Sequence, residues 1–212
     1  MIGIAFTGGE GPCVEICRQL AASNPGPECL IIAADSGLQK AEAAGLRPRW
    51  IIGDMDSLDD KTRLEKYPPD CVLKYPPDKD FTDTELALRL LWEKGCDETW
   101  IIGGGGGRGD HFLAIKALFE RERPPDRWIT AAEDFFCIKS GGEFSCPHKK
   151  GSMVSIFPLG EDPWAARSGN LKWPLDNLTW DRGTLSLSNE TTGDSFSVKS
   201  LQGRFLVALP FV

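Results

Sequence analysis

Residues 29–45 read CLIIAADSGLQKAEAAG and contain one complete strand–loop–helix unit. The apolar run Cys29–Ala34 is typical of a buried strand, and Ser36–Ala44 has the pattern of a helix that Gly45 ends. The loop DSG at 35–37 lies directly after the strand. A strand that leads through a polar loop into a helix is the repeating unit of sheets with parallel strands.

The same unit recurs through about the first 140 residues. Short apolar runs, each typical of a strand, lie at Ile2–Phe6, Trp50–Ile52, Val72–Lys74, Thr99–Ile102 and Trp128–Ala131. Helical patterns run to about Ala22 and follow the glycines at 103–107. The clearest helix spans Thr82–Gly95, because Thr82 and Glu85 match a capping box and Gly95 suits a left-handed C-terminal cap. This alternation predicts a mostly parallel sheet flanked by helices.

The pattern changes after about residue 145, where short alternating runs replace the helical pattern. The runs are Val154–Phe157, Thr184–Leu187, Ser195–Lys199 and Arg204–Leu209. Strands at turn-bounded intervals predict a small β-sandwich or barrel. We therefore predict an α/β protein with an N-terminal α/β domain at 1–144 and a small all-β, sandwich-like domain at 145–212. The hydrophilic stretch SCPHKKG at 145–151 marks the expected boundary.

The composition limits the classes of function. With 41% hydrophobic and 26% charged residues, the 212-residue chain has an ordinary globular composition and needs no disulfides to form a core. The net charge of −7, with no basic run longer than Lys149-Lys150, argues against a nucleic-acid partner. No apolar run approaches roughly 18 residues, which argues against a membrane partner.

Cysteine usage and the first residues indicate a compartment. The seven cysteines form no C-x-x-C pair, and an odd, scattered set favours reduced thiols. The start MIGIAFTGGEGP lacks the basic and apolar segments of a signal peptide. We therefore expect a cytoplasmic location. Since His111 and His148 are the only two histidines, we also expect any catalytic metal to be held by carboxylates.

Four polar clusters follow the predicted strands of the α/β domain. They are Asp35-Ser36-Gly37, the stretch GDMDS at 53–57, the stretch KDFTDTE at 79–85, and the glycine-rich stretch from Gly103 to His111. Ligands of parallel α/β sheets bind beyond the carboxyl ends of the strands. We therefore expect these clusters to share one edge of the sheet and to form the site.

Two of the clusters offer ligands for magnesium, which prefers carboxylate and phosphate oxygens. Asp54 and Asp56, two residues apart in a turn, can aim both carboxylates at one ion, and Asp83 can add a third. Acids in loops are also commonly solvated without a metal, so the pair alone is a weak signal. Its coincidence with the other polar clusters favours the metal site.

The glycine run permits more than one interpretation. Its residues at 104–109 satisfy the dinucleotide pattern G-x-G-x-x-G, but five successive glycines satisfy almost any glycine pattern, and Asp110-His111 excludes the Walker form. Glycines let backbone N–H groups approach an anion, and Arg108 can pair with phosphate oxygens. The alternative is a plain loop tip. Asp110 can orient a nucleotide or hydrated metal, and His111 is a base, a phosphate contact or a structural hydrogen-bonding residue.

The β domain offers a further set of candidates. Trp173 lies in an LKWPL run, and Ser188-Asn189 ends a predicted strand. An exposed tryptophan can stack on a flat heteroaromatic ring, although this residue type is more often a core anchor.

Taken in order, these motifs resemble the thiamine pyrophosphokinase family. The resemblance rests on GDMDS (53–57), KDFTDTE (79–85), GGRGDH (106–111), SGNLKWPL (168–175) and SN (188–189), and it covers nearly the whole chain. It implies transfer of a diphosphate from ATP to the hydroxyl of thiamine, giving thiamine diphosphate and AMP. It also implies Mg²⁺ as the metal and a homodimer.

The resemblance assigns roles by motif. Asp54, Asp56 and Asp83 would form the metal and phosphate centre, and these three with Asp80 would be the catalytic set. Residues expected around the nucleotide and its phosphates are Asp35, Ser36, Gly37, Ser57, Lys79, Thr82, Arg108, Asp110 and His111. Trp173, Ser188 and Asn189 would contact thiamine. The proton acceptor stays open between Asp80 and Asp83.

Two positions depart from the family pattern, and two rival functions stay open. Ser36 replaces the usual glycine of a D-G-G loop, and Gly109 replaces a bulky apolar residue. Neither change removes a charged residue, so the resemblance still implies an active enzyme. The rivals are a pyrophosphokinase for another acceptor, such as a pterin alcohol, and a non-catalytic sensor of nucleotide or thiamine.

Overall fold

The computed structural model describes residues 1–22 and 29–211. The chain divides into two compact units, of which the first is Met1–Lys116 with Arg127–Ala132 and the second is Ala117–Asp126 with Glu133–Val212. Neither unit is one continuous stretch. The domains predicted from the sequence, 1–144 and 145–212, stay a prediction. No helix in the described part of the chain is long and apolar enough to span a membrane.

The first unit contains a parallel sheet. Its strands are β1 (Ile2–Phe6), β2 (Cys29–Ala34), β3 (Trp50–Gly53), β4 (Val72–Lys74), β5 (Glu98–Ile102) and β6 (Arg127–Ile129). Their order is β6-β5-β1-β2-β3-β4, and each neighbouring pair is parallel. The order reverses at β1, which pairs with β2 on one side and β5 on the other. The parallel sheet predicted from the alternating pattern is therefore confirmed.

Four helices accompany these strands in the described residues. They are α1 (Val14–Ala22), α2 (Gly37–Ala43), α3 (Asp83–Glu93) and α4 (Gly109–Leu118), with short 3₁₀ helices at Lys61–Lys66 and Pro69–Cys71. The predicted cap of α3 is confirmed, because Thr82 Oγ1 accepts from the Glu85 amide at 3.2 Å. At the other end of α3, Gly95 has a φ of +83°.

The core of the first unit explains its apolar runs. Ile4, Phe6, Ile102 and Ile129 have no solvent exposure and pack in one cluster with residues of α1 and α2. Strands of a parallel sheet are covered on both faces, so their sequences are continuously apolar rather than alternating.

The second unit is an antiparallel β structure. Its strands are β7 (Glu133–Ile138), β8 (Glu143–Pro147), β9 (Met153–Leu159), β10 (Ala165–Gly169), β11 (Ser186–Glu190), β12 (Ser195–Gln202) and β13 (Arg204–Pro210), with a 3₁₀ helix at Leu175–Asn177. The strands form two hydrogen-bonded groups, one in the order β11-β9-β13-β7 and one in the order β10-β12-β8. Neighbouring strands within each group are antiparallel. Phe196 and Val198 of β12 share a core with Ile156 and Phe205 of the other sheet. This arrangement confirms the predicted α/β-then-β fold class.

Three strands of the second unit were not predicted, and one lies later than expected. Strands β7, β8 and β10 carry no long alternating run, and β8 lies in part of the hydrophilic stretch taken as the boundary. Strand β11 begins at Ser186, whereas the sequence pattern placed it at 184–187. Its pairing with β9 shifts register between Ser186 and Asn189, so an alternating pattern does not describe it.

Candidate active site at the carboxyl edge of the parallel sheet

Three carboxylates converge beyond the ends of neighbouring strands. Asp35 follows β2, Asp54 follows β3, and Asp83 opens α3. One carboxylate oxygen from each residue lies within 4.8 Å of the other two. We call these three residues the carboxylate cluster. The predicted meeting of Asp54 with Asp83 is thus seen in the structure, and Asp35, which the sequence assigned to the nucleotide loop, lies with them.

The loop after β3 closes around the Asp35 side chain. Asp35 has a φ of +47°, a left-handed conformation that aspartate adopts more readily than most residues. Its Oδ1 accepts a hydrogen bond from the Met55 amide at 2.9 Å. Gly53 has a φ of +142°, and a Cβ there would lie 2.2 Å from Asp35 Oδ1. The glycine of the GDMDS motif therefore makes room for the carboxylate.

The cluster is electrostatically costly without a cation. The pKa of Asp35 is raised from 3.8 to about 7, chiefly by burial. The hydrogen bond and charge of Asp83 and the charge of Asp54 also raise this pKa, whereas the hydrogen bond from the Met55 amide lowers it. Carboxylates this close disfavour each other's ionised form. A bound cation would relieve this repulsion.

The Lys79 ammonium places a positive charge beside two carboxylates of the cluster. Its Nζ lies 3.1 Å from Asp83 Oδ1 and 3.8 Å from Asp54 Oδ2. The same ammonium donates to the Pro76 carbonyl at 3.2 Å. The Lys79 side chain is only 12% exposed, so this ion pair is largely shielded from water.

The cluster fits a magnesium ion. Its donors are all carboxylate oxygens, which Mg²⁺ prefers. Asp83 Oδ1 is enclosed by protein and has no hydrogen-bond partner among the described residues, since its approach to Lys79 is an ion pair without hydrogen-bond geometry. An enclosed oxygen of this kind is suited to a metal ligand.

Asp56 lies outside the cluster. Its exposed carboxylate accepts from Ser57 Oγ at 2.9 Å, and this bond lowers its pKa below the ordinary value. The Asp56 amide donates to Asp54 Oδ1 at 3.0 Å. In this structure Asp56 and Ser57 therefore shape the loop that holds Asp54, while Asp35 supplies the third converging carboxylate.

The KDFTDTE segment is fixed at its helical end. Thr84 Oγ1 and Thr7 Oγ1 form a buried 2.7 Å hydrogen bond, which ties the start of α3 to the end of β1. The Arg89 guanidinium lies 3.7 Å from the centre of the Phe81 ring and 3.4 Å from Glu85 Oε1. Asp80, between Lys79 and Phe81, is exposed. Asp83 is therefore held by packing on both sides of its segment.

The glycine loop after β5 carries an exposed ion pair. Two nitrogens of Arg108 donate to the two carboxylate oxygens of Asp110, and this pair lowers the pKa of Asp110 to about 2. His111 is exposed in the first turn of α4, and its amide donates to the Arg108 carbonyl at 3.1 Å. The sequence assigned Arg108 and Asp110 separately to a ligand, whereas the structure pairs them with each other.

The start of α2 packs against the end of β1. A Cβ on Gly37 would lie 2.1 Å from the Phe6 carbonyl oxygen, so only glycine fits there. Ser36, the family departure, makes no side-chain cap for α2, and its Oγ lies near Gly8. Lys40, which the sequence reasoning missed, passes beside the backbone of Gly11 and Gly103, and burial lowers its pKa. Its position one helical turn after the DSG loop was the available signal.

The candidate thiamine contacts lie in the second unit. Trp173 is 55% exposed, and Lys172 Nζ lies 4.9 Å from its ring centre. Asn189 is buried, accepts from the Trp173 amide at 3.2 Å and donates to the Trp173 carbonyl at 2.7 Å. Ser188 is exposed with a φ of +52°, in the irregular part of β11. The structure thus brings Trp173 and Asn189 into direct contact, with Ser188 beside them.

Comparisons with known proteins agree with this arrangement. The family model described as "Thiamin pyrophosphokinase, catalytic domain" matches residues 27–125. The family model described as "Thiamin pyrophosphokinase, vitamin B1 binding domain" matches residues 143–203. The chain is 32% identical over 167 residues to the thiamine pyrophosphokinase of Bacillus subtilis (strain 168), covering 76% of this chain and 78% of the relative.

Solved structures share the fold. The crystal structure of thiamine pyrophosphokinase from Bacillus subtilis has a TM-score of 0.80 at 25% identity and covers 100% of this chain and 99% of that one. Thiamin pyrophosphokinase from Candida albicans has a TM-score of 0.73 at 16% identity, covering 100% of this chain and 90% of that one. On the matched descriptions and the curated relative, this chain belongs to the thiamine pyrophosphokinase family.

Proposed function

We propose that this protein transfers the diphosphate of ATP to the hydroxyl of thiamine, giving thiamine diphosphate and AMP, with Mg²⁺ as the metal. The observation that supports this most directly is the carboxylate cluster of Asp35, Asp54 and Asp83 at the carboxyl edge of the parallel sheet. A set of acidic side chains would repel ATP unless a divalent cation bridged them to the phosphates. Membership of the family supplies thiamine as the acceptor.

Asp54 and Asp83 are the metal ligands that both the motifs and the geometry support. Asp35 is the third carboxylate of the cluster, and Asp56, which the motifs also assign to the metal, is two residues from Asp54 on the same loop. When bound, Mg²⁺ neutralises charge on the phosphates and on the departing AMP. The cluster's part is to hold the triphosphate at a fixed distance from the acceptor hydroxyl.

Other residues of the first unit bind and orient the nucleotide. Lys79 is placed to contact phosphate oxygens once it leaves the carboxylates. Arg108 can pair with phosphate through the nitrogens that now contact Asp110, and the glycine loop offers backbone N–H groups to an anion. Thr82, Asp110, His111, Ser36, Gly37 and Ser57 complete the expected nucleotide surroundings. Asp80 or Asp83 accepts the hydroxyl proton of the acceptor.

The second unit binds the acceptor. Trp173 offers an exposed indole face on which the flat rings of thiamine can stack, and Asn189 holds the backbone of that residue on both sides. Ser188 supplies an exposed hydroxyl next to Asn189. The roles of these three residues follow from the family motifs and from this exposure.

The product assay tests the proposal. Purified protein is incubated with ATP, Mg²⁺ and thiamine, and AMP and thiamine diphosphate are measured together. Equal amounts of both products, abolished by EDTA, are expected. AMP without thiamine diphosphate would contradict the acceptor, and a parallel reaction with a pterin alcohol identifies the rival enzyme. Ligand binding without any AMP would favour the sensor.

A matched pair of variants links the reaction to the cluster. Asp83→Asn removes one carboxylate from the cluster and is expected to lower kcat by about 100-fold or more, the scale of losing one electrostatic stabiliser. Glu93→Gln removes an exposed acid from the same helix and should leave kcat unchanged. Near-normal turnover of folded Asp83→Asn would refute the metal assignment.

A homodimer and a cytoplasmic location are proposed on narrower grounds. The dimer rests on the family resemblance, and light scattering of the purified protein measures it directly. The location is supported by the cysteines, all seven of which have free thiols. The domain bounds at 144 and 145 are proposed for expression of separate fragments, and circular dichroism of fragment 145–212 would test whether it folds alone.

A further inference from the structure

The Lys79 ammonium lies where a divalent cation is expected. Its Nζ contacts oxygens of Asp83 at 3.1 Å and of Asp54 at 3.8 Å, and these two carboxylates belong to the cluster that fits Mg²⁺. All three side chains are largely shielded from water, with 12%, 13% and 21% exposure for Lys79, Asp54 and Asp83. Weak screening makes the charge balance of this small volume important.

One ammonium and one divalent cation would compete for these oxygens. A divalent cation bound to these carboxylates would lie within a few ångströms of an ammonium that stayed on the same oxygens. The two cations would also repel each other strongly across a few ångströms of partly buried space. Each cation therefore disfavours the other at Asp83 Oδ1.

The attachment of Lys79 favours exchange. Residues 76–78, just before it, are exposed, and among the described residues its other polar contact is a hydrogen bond to the Pro76 carbonyl at 3.2 Å. The carboxylates are held more firmly, since Asp83 lies in the first turn of α3 next to the buried Thr84–Thr7 hydrogen bond. A long lysine side chain can leave the cluster by rotating its methylene groups while the carboxylates stay in place.

We propose that Lys79 is the internal counterion of the carboxylate cluster in the metal-free protein, and that a divalent cation displaces its ammonium from Asp83 and Asp54. The inference rests on the proposed function, in which a metal ion binds at this cluster. It gives Lys79 two opposed effects, because the ammonium competes with the metal before binding and is free to contact phosphate afterwards.

Metal binding without nucleotide tests the competition. Mn²⁺ is titrated into wild-type protein, Lys79→Gln and Lys79→Arg, and the free ion is followed by electron paramagnetic resonance. Loss of the competing charge in Lys79→Gln should tighten Mn²⁺ binding by about tenfold or more, whereas Lys79→Arg keeps the charge and should stay near the wild-type value. Lys150→Gln, which removes the same charge from an exposed turn of the second unit, should not change the affinity.

A second measurement uses the wild-type chain and does not depend on a variant that folds. The rate of Lys79 acetylation is measured by mass spectrometry with and without Mn²⁺, with Lys150 as the internal reference. Displacement of the ammonium predicts faster acetylation of Lys79 when Mn²⁺ is present. An unchanged rate, or unchanged or weaker Mn²⁺ binding by folded Lys79→Gln, would overturn the counterion role.

The outcomes separate this inference from the proposed function. Metal-dependent formation of thiamine diphosphate, with Mn²⁺ affinity unaffected by Lys79→Gln, overturns the counterion role and leaves the reaction standing. Absence of Mn²⁺ binding to every variant overturns the counterion role together with the metal site. Tighter binding by Lys79→Gln in a protein without pyrophosphokinase activity supports the counterion role alone.

Discussion

Replacing Asp35 with asparagine should stabilise the metal-free protein while impairing its reaction. The change keeps the side-chain shape and leaves an oxygen that can accept from the Met55 amide, as Asp35 Oδ1 does at 2.9 Å. Asparagine also tolerates the φ of +47° found at this position. At a pH above about 7, where Asp35 is mostly ionised, the main consequence is therefore the loss of one negative charge beside Asp54 and Asp83.

The expected gain follows from the separation of the charges. The cluster oxygens lie within 4.8 Å of one another, and at an effective dielectric constant of about 20 two unit charges at that distance repel by about 3.5 kcal/mol. The Lys79 ammonium and partial exposure offset much of this repulsion. We expect Asp35→Asn to raise the free energy of unfolding by about 1–2 kcal/mol in EDTA. Loss of an electrostatic contact in the reaction should lower kcat by about 100-fold.

Urea unfolding in EDTA measures the stability, and formation of thiamine diphosphate with Mg²⁺ measures the activity. Asp59→Asn removes an exposed acid from the following loop and should change the unfolding free energy by less than about 0.5 kcal/mol. Lower stability of Asp35→Asn than of the wild type would refute the reasoning, because it would mean that the cluster is not repulsive without a metal.

Four other variants separate binding, packing and protonation. Trp173→Ala should raise the KM for thiamine with little change in thermal stability, because the ring is exposed. Asn189→Ala should raise the same KM and also lower the free energy of unfolding by about 2–3 kcal/mol, because it breaks buried hydrogen bonds. Equal stabilities of the two variants would contradict this. Arg89→Ala should lower the free energy of unfolding by about 1–2 kcal/mol through loss of its ring contact and ion pair, measured in urea, and an unchanged midpoint would be evidence against that role. Burial raises the pKa of Cys137 from 9.0 to about 12, and burial together with the charge of Glu42 raises the pKa of Tyr67 from 10.0 to about 12. The folded chain therefore keeps protons that the unfolded chain loses, and the free energy of unfolding should fall as pH rises through about 9–12. Urea titrations should show a shallower fall for Tyr67→Phe than for the wild type.

The parallel sheet could be predicted because its sequence signal is local. Runs such as Cys29–Ala34 are apolar throughout, and residues on both faces of this strand are buried from Ile32 onward. A polar loop and a helix follow the run. Strand β8 carries no continuous apolar run, and it takes its place by pairing with β12, more than 45 residues later in the chain. Pairing between distant segments of this kind is not written in either segment alone.

The meeting of Asp54 with Asp83 could be predicted from the sequence, but the finer contacts of the candidate site could not. The rule that ligands bind at strand ends identified the loops of Asp54 and Asp83. It could not distinguish Asp35 from Asp56 as the third member of the cluster, because that depends on the left-handed turn at Asp35 and on the hydrogen bond from Ser57 to Asp56. Likewise, residues two apart in sequence give no sign that Arg108 and Asp110 pair with each other.

The two hydrogen bonds between Asn189 and Trp173 affect the thermodynamics of the proposed acceptor binding. Hydrogen bonds to both the amide and the carbonyl fix the backbone of Trp173, and the ammonium of Lys172 lies 4.9 Å from its ring. The backbone entropy of this residue is therefore lost during folding, before any ligand arrives. If a flat ring stacks on the indole as proposed, the backbone that carries it is already ordered, and only the side-chain rotamer remains to be fixed.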